Sequence, residues 1–114
     1  MKKIEAIIRP EKASGVFNAL KELGHPGVMF SKVEGHGNGN EEGPELHVRG
    51  NTYKHDLVEK ARVEVIAKEN EIEVIVNAIR KAAYTGESGD GNIFIHSLDD
   101  AMRVRTGERG ECAI

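Results

Sequence analysis

A chain of 114 residues with 39% hydrophobic and 31% charged residues has the composition of one soluble globular domain spanning 1–114, with no room for a second. Its formal charge of -3 gives no field to hold a nucleic acid, and no stretch approaches the ~20 apolar residues of a membrane span, so nucleic-acid partners and direct membrane insertion are set aside. Cys112 is the single cysteine and cannot close an internal disulfide, and Met1-Lys2-Lys3-Ile4-Glu5 opens without an apolar leader core; a cytoplasmic protein is expected.

Ile4, Ala6 and Ile8 alternate with Glu5, Ile7 and Arg9, the period of a strand, and Pro10 ends ladder pairing while suiting a first helical turn. From Glu11 the residues Val16, Phe17, Leu20 and Leu23 mark one face of a helix, which Gly24 is placed to terminate in the left-handed conformation. Val28 to Val33 reads as a second strand running into Gly35-His36-Gly37. Residues 38–60 differ in kind: Asn38-Gly39-Asn40-Glu41-Glu42-Gly43-Pro44 is turn chemistry, and only scattered apolar residues follow, so a long exposed loop is predicted. Loops of that length in small domains are uncommon and usually either functional or disordered, and this one is read as the interaction element.

Val63, Val65 and Ala67 alternate as a third strand. Asn70-Glu71-Ile72-Glu73 has the form of a capping box with Asn70 as N-cap, and the helix behind it repeats Ile72, Ile75, Val76, Ile79, Ala82 and Ala83 on one face, with Gly86 expected to close it. Ile93 to Ile95 reads as a fourth strand and Met102 to Arg105 as a short extended piece. The order strand, helix, strand, long loop, strand, helix, strand is a doubled β-α-β, an α+β ferredoxin-like sandwich. That fold hosts unrelated functions, so function must come from sites.

Two features stand out as sites. Gly86, Gly89 and Gly91 permit positive φ, so Gly89-Asp90-Gly91 can turn backbone amides toward phosphate oxygens as a nest. Arg103 and Arg105 alternate, and on an extended strand both would face one side and reach phosphates. Glycines behind a helix are ordinarily caps, and edge arginines are ordinarily solvated; it is the joint pattern that points to a ligand.

Three segments together resemble the PII signal-transduction (nitrogen regulatory) protein family: Lys2 to Pro10, Thr85-Gly86-Glu87-Ser88-Gly89-Asp90-Gly91-Asn92-Ile93-Phe94, and Arg103-Val104-Arg105-Thr106-Gly107-Glu108. The resemblance implies a non-enzymatic homotrimer with ATP, ADP or AMP as effector ligands in the clefts between subunits. In the family's terms residues 38–60 are the T-loop, 85–92 the B-loop and 103–114 the C-terminal loop. It implies a base and ribose neighbourhood including Ile7, Met29, Glu64 and Ile66, a loop mouth of Gly35, His36, Gly37 and Asn38, and phosphate contacts from Gly86, Gly89, Asp90, Gly91, Asn92, Arg103 and Arg105. The T-loop would then control a partner, a transporter or a metabolic enzyme of nitrogen or carbon use.

The sequence also departs from the family pattern. Asn92 stands where a lysine contacts phosphates, Asn38 where an arginine does, and Gly39 where a glutamine helps hold Mg²⁺ and 2-oxoglutarate; Lys60 matches the 2-oxoglutarate lysine. With two cations missing, ADP or AMP is expected to bind as well as or better than ATP, and Mg²⁺ with 2-oxoglutarate to add little. Tyr53, in Arg49-Gly50-Asn51-Thr52-Tyr53, matches a tyrosine that is uridylylated in some members. His36, His47 and His55 lack ligand spacing, so no metal site is expected. The alternatives on this fold are an acyl phosphatase or slow ATPase, and a metal-tolerance trimer; neither explains the B-loop with the terminal Arg-x-Arg-Thr-Gly.

Overall fold

A computed structural model of the chain describes residues 1–25, 27–36, 45–48, 50–54 and 57–114, with the backbone alone for 45–48 and 51–54. The first strand, β1 (Lys2–Ile8), buries Ile4, Ala6 and Ile8 on one side, as its alternation demands. A 3-10 turn at Pro10–Lys12 then leads into helix α1 (Ala13–Glu22). The helix closes in a Schellman motif: Gly24, at φ 76°, donates to Lys21 O, and His25 donates to Leu20 O. Val16 and Leu20 are fully buried, whereas Phe17 and Leu23 of the predicted apolar face stay 41% and 45% exposed.

Strand β2 (Val28–Gly35) is followed by a hairpin, β3 (Glu45–Val48) with β4 (Asn51–Lys54), turned at Gly50 with φ 78°. Next come β5 (Val58–Ala67), a 3-10 turn at Glu69–Glu71, helix α2 (Ile72–Ala83) and β6 (Asn92–Ser97). The segment 38–60 is therefore not loop throughout. Its interior holds the hairpin, and β5 begins at Val58 because Val58 and Lys60 continue the ladder against Gly35 and Val33.

Two terminators work differently from expectation. Asn70 is not an N-cap: it lies inside the 3-10 turn, α2 starts behind Glu71, and no side chain caps it. The turn, closed by Glu71 N to Lys68 O at 3.0 Å, places Asn70 before the helical N–H groups a cap would serve. Nor does Gly86 close α2. Tyr84 ends it in an extended conformation, and Gly86, at φ 89°, belongs to the loop beyond.

The main sheet has the order β2-β5-β1-β6, every neighbouring pair antiparallel. Each β-α-β unit straddles a strand of the other, the ferredoxin-like arrangement, and both helices cover one face. Beneath them lies a core without buried polar side chains among the described residues, dominated by Ile4, Ile8, Val16, Leu20, Val63, Val65, Ile75 and Ile79. Among the described residues no helix lies on the opposite face. Register places Lys3, Glu5 and Ile7 on it beside Arg62, Glu64 and Ile66, with Asn92, Phe94 and His96 to one side and Met29 and Ser31 to the other. Met29 and Phe94 are 71% and 46% exposed there, and Glu64 pairs with Arg62 at 3.1 Å and Lys3 at 3.6 Å.

Candidate functional site

One end of the sheet gathers the end of β1, the start of β5, the end of β2 and the start of β6, with the glycine-rich segment 85–91 crossing it. That segment is fixed from inside by Asp90. Its carboxylate accepts the amides of Thr85 and Gly86, each at 2.9 Å, the Thr85 hydroxyl, and Arg9 Nε at 3.2 Å. The Thr85 hydroxyl first, then the Thr85 and Gly86 amides and Arg9, hold this carboxyl far below the usual carboxylate range against a smaller opposing effect of burial. Asp90 is thus an internal brace for the loop, turned toward its own backbone.

Two cations take the loop's carbonyls. Arg9 Nη2 donates to Ser88 O at 2.7 Å and Lys60 Nζ donates to Gly89 O at 2.9 Å. The loop is also pressed onto β1: a Cβ on Gly91, at φ 97°, would lie 1.7 Å from Ile7 O, so no other residue fits. Gly89 is likewise in the positive region, at φ 103°. Arg9, Thr85 and Ser88 carry this geometry and were not singled out as site residues from the sequence. Their signal was present in the Arg-Pro and Thr-Gly pairs, but only the fold brings positions 9 and 88 together.

The remaining candidates divide between the two ends. Ile7 and Asn92 pair directly across β1 and β6 beside the loop, and Gly35 pairs with Val58 at the same end, with open space where a Cβ would stand; exposed His36 follows it. Gly37, Asn38 and Gly39 lie outside the described residues, as do His55 and the side chains of His47 and Tyr53. Met29 and Glu64 pair with each other partway down the sheet, and Ile66 lies further on, opposite Lys3. From Lys60 to Ile66 is about 20 Å along β5.

Arg103 belongs to that far end. Strand β6 delivers the chain there, Leu98 N donates to Met1 O, and Ile114 lines a hollow with Gly24, His25 and Ile66. The expected extended piece from Met102 to Arg105 is a turn instead: Met102 forms a single bridge with Arg109, and Gly107, at φ 75°, donates back to Arg103 O at 2.7 Å. The Gly107 reversal breaks the alternation that would have put both arginines on one side. Arg103 is held by Glu108 Oε1 and Cys112 O, each at 3.1 Å, while Arg105 is exposed without a hydrogen-bond or ion-pair partner among the described residues.

The turn rests on a second braced carboxylate. Asp100 accepts Arg109 Nε at 2.7 Å and the amides of Ala101 and Gly110 at 2.8 and 3.1 Å, and Arg109 chiefly holds its carboxyl below the usual range. Among the described residues no group of His, Cys, Asp and Glu is placed to hold a metal ion, and no helix is long and apolar enough to cross a membrane.

Comparison with known proteins finds one family and the same fold. The family model for nitrogen regulatory protein P-II covers residues 1–108. The chain is 41% identical over its whole length to nitrogen regulatory protein P-II 2 of Methanothermobacter thermautotrophicus, covering 97% of that protein. It is 42% identical, over the full length of both, to nitrogen regulatory protein P-II of Rhizobium meliloti. The crystal structure of Arabidopsis thaliana PII bound to citrate superposes with a TM-score of 0.79 at 38% identity, covering 99% of this chain and 91% of that one.

Proposed function

Since the chain belongs to the nitrogen regulatory protein P-II family, a family of signalling regulators and not of enzymes, we propose that it binds an adenine nucleotide between the subunits of a homotrimer and signals occupancy through the segment 38–60. The observation that carries this reading is the division of the candidate site. The glycine-rich loop and the arginine-bearing turn lie at opposite ends of one sheet, so a single copy cannot bring both to one ligand. Two copies apposed through their uncovered sheet faces can. That face has partly apolar, partly charged character, with Met29, Ile7 and Phe94 beside Lys3, Glu5, Arg62 and Glu64, and no helix among the described residues covers it.

The near end suits the phosphates of such a ligand and the partly buried Ile7 suits its base. The citrate of the Arabidopsis relative is a small polyanion, the class of ligand this end would take. Asn92 beside the loop offers an amide in place of a charge, which favours ADP or AMP over ATP and leaves little for Mg²⁺ and 2-oxoglutarate to add. The partner is a transporter or metabolic enzyme in the cytoplasm, engaged through the segment that carries the hairpin and Tyr53.

Light scattering at micromolar concentration tests the assembly: a trimer is expected, and a monomer would remove the shared site. Calorimetry with ATP, ADP and AMP, with and without Mg²⁺ and 2-oxoglutarate, tests the ligand. Absence of binding by all three nucleotides would overturn the reading.

A further inference from the structure

The loop that would meet the phosphates is held by two cations that do not face outward. Arg9, just past the end of β1, takes the carbonyl of Ser88, and Lys60, in β5, takes that of Gly89. A trans peptide is planar, so the N–H of each unit points opposite to its carbonyl. Drawing the Ser88 and Gly89 carbonyls toward the protein therefore turns the amides of Gly89 and Asp90 away from it. Those amides have no acceptor among the described residues, whereas the earlier amides of the loop, Thr85 and Gly86, are spent on the Asp90 carboxylate.

We infer that Arg9 and Lys60 are positioning residues for the phosphate loop: each anchors one carbonyl so that two consecutive backbone amides face the anion. This rests on the proposed nucleotide reading and assigns Lys60 a role distinct from contact with an oxo-acid. Two successive amides converging on one side form an anion-binding concavity, and here its orientation is set by side chains. The anchor also ties the loop to the root of the long segment, since Lys60 lies in the opening residues of β5. An anion that pulls the Gly89–Asp90 unit outward pulls on the residue at which that segment ends.

The test is titration of ADP and of adenosine into wild type, Lys60→Met, Lys60→Arg and Arg9→Met, at roughly 0.5 M salt, where the Debye length is only about 4 Å and bulk charge effects are damped. Lys60→Met and Arg9→Met are expected to weaken ADP about tenfold but adenosine less than about twofold, with Lys60→Arg keeping ADP within about threefold. In parallel, wild-type amide NMR should show Gly89 and Asp90 moving downfield with ADP while Thr85 and Gly86 stay in place. Equal losses for ADP and adenosine, unchanged ADP affinity in both methionine variants, or stationary Gly89 and Asp90 amides would each overturn the inference. A wild type that binds ADP no better than adenosine would instead sink the phosphate-loop reading itself, before any variant is made.

Discussion

Gly91→Ala tests the attachment of the phosphate loop to the sheet. The added Cβ would stand 1.7 Å from Ile7 O and 2.8 Å from the carbonyl carbon, backbone atoms in the last pair of the β1–β6 ladder that cannot swing aside as a side chain would. An L residue at φ 97° costs about 1–2 kcal/mol in conformation alone. Forcing a methyl into occupied space adds typically 1–3 kcal/mol. A loss of about 2–5 kcal/mol follows, a large part of the ~5–15 kcal/mol that holds a domain of this size together. Urea denaturation followed by circular dichroism reads it, with Gly35→Ala as control, since no described residue lies within 4 Å of a Cβ there. The control should change stability by no more than about 0.5 kcal/mol. A Gly91→Ala protein within about 1 kcal/mol of wild type would show that the loop does not press on β1 as described.

Gly15 sits within α1 with open space around a Cβ, so Gly15→Ala should stabilise by about 0.4–1 kcal/mol in the same denaturation assay. Asp90 has a folded-state pKa depressed below the ordinary 3.8, so its bracing contributes stability in full above that value and progressively less as the pH falls below it toward the folded pKa; the Thr85 and Gly86 amide signals of the folded protein should hold through about pH 4 and move only well below it, and Asp90→Asn should shift them at neutral pH. Arg103→Ala and Arg105→Ala should each weaken nucleotide binding by about 1.5–3 kcal/mol in calorimetry, and unchanged affinity in both would misplace the site. Asn92→Lys should shift preference from ADP toward ATP, which competitive titration reads directly.

Periodicity alone marked the strands around Ile4, Val63 and Ile93 and both helices, because alternation and the 3.6-residue stripe are local consequences of having one face to bury. The end of α1 was equally legible, since Gly24 meets a backbone demand within one turn of chain. Elsewhere local signals misled because the decisive partner was distant. Lys60 belongs to a strand because Val33 is opposite it, and Asn70 does not cap α2 because the preceding turn sets where the helical amides begin. Arg103 and Arg105 do not share a strand face because Gly107 reverses the chain. Asp90, placed by pattern among ligand contacts, turns inward to the Thr85 and Gly86 amides and to Arg9, a residue 81 positions away. Strand direction then decided what no spacing could: β6 carries the chain from the phosphate loop to the opposite end of the sheet. The residues that the sequence grouped as one site are thereby separated within a single copy.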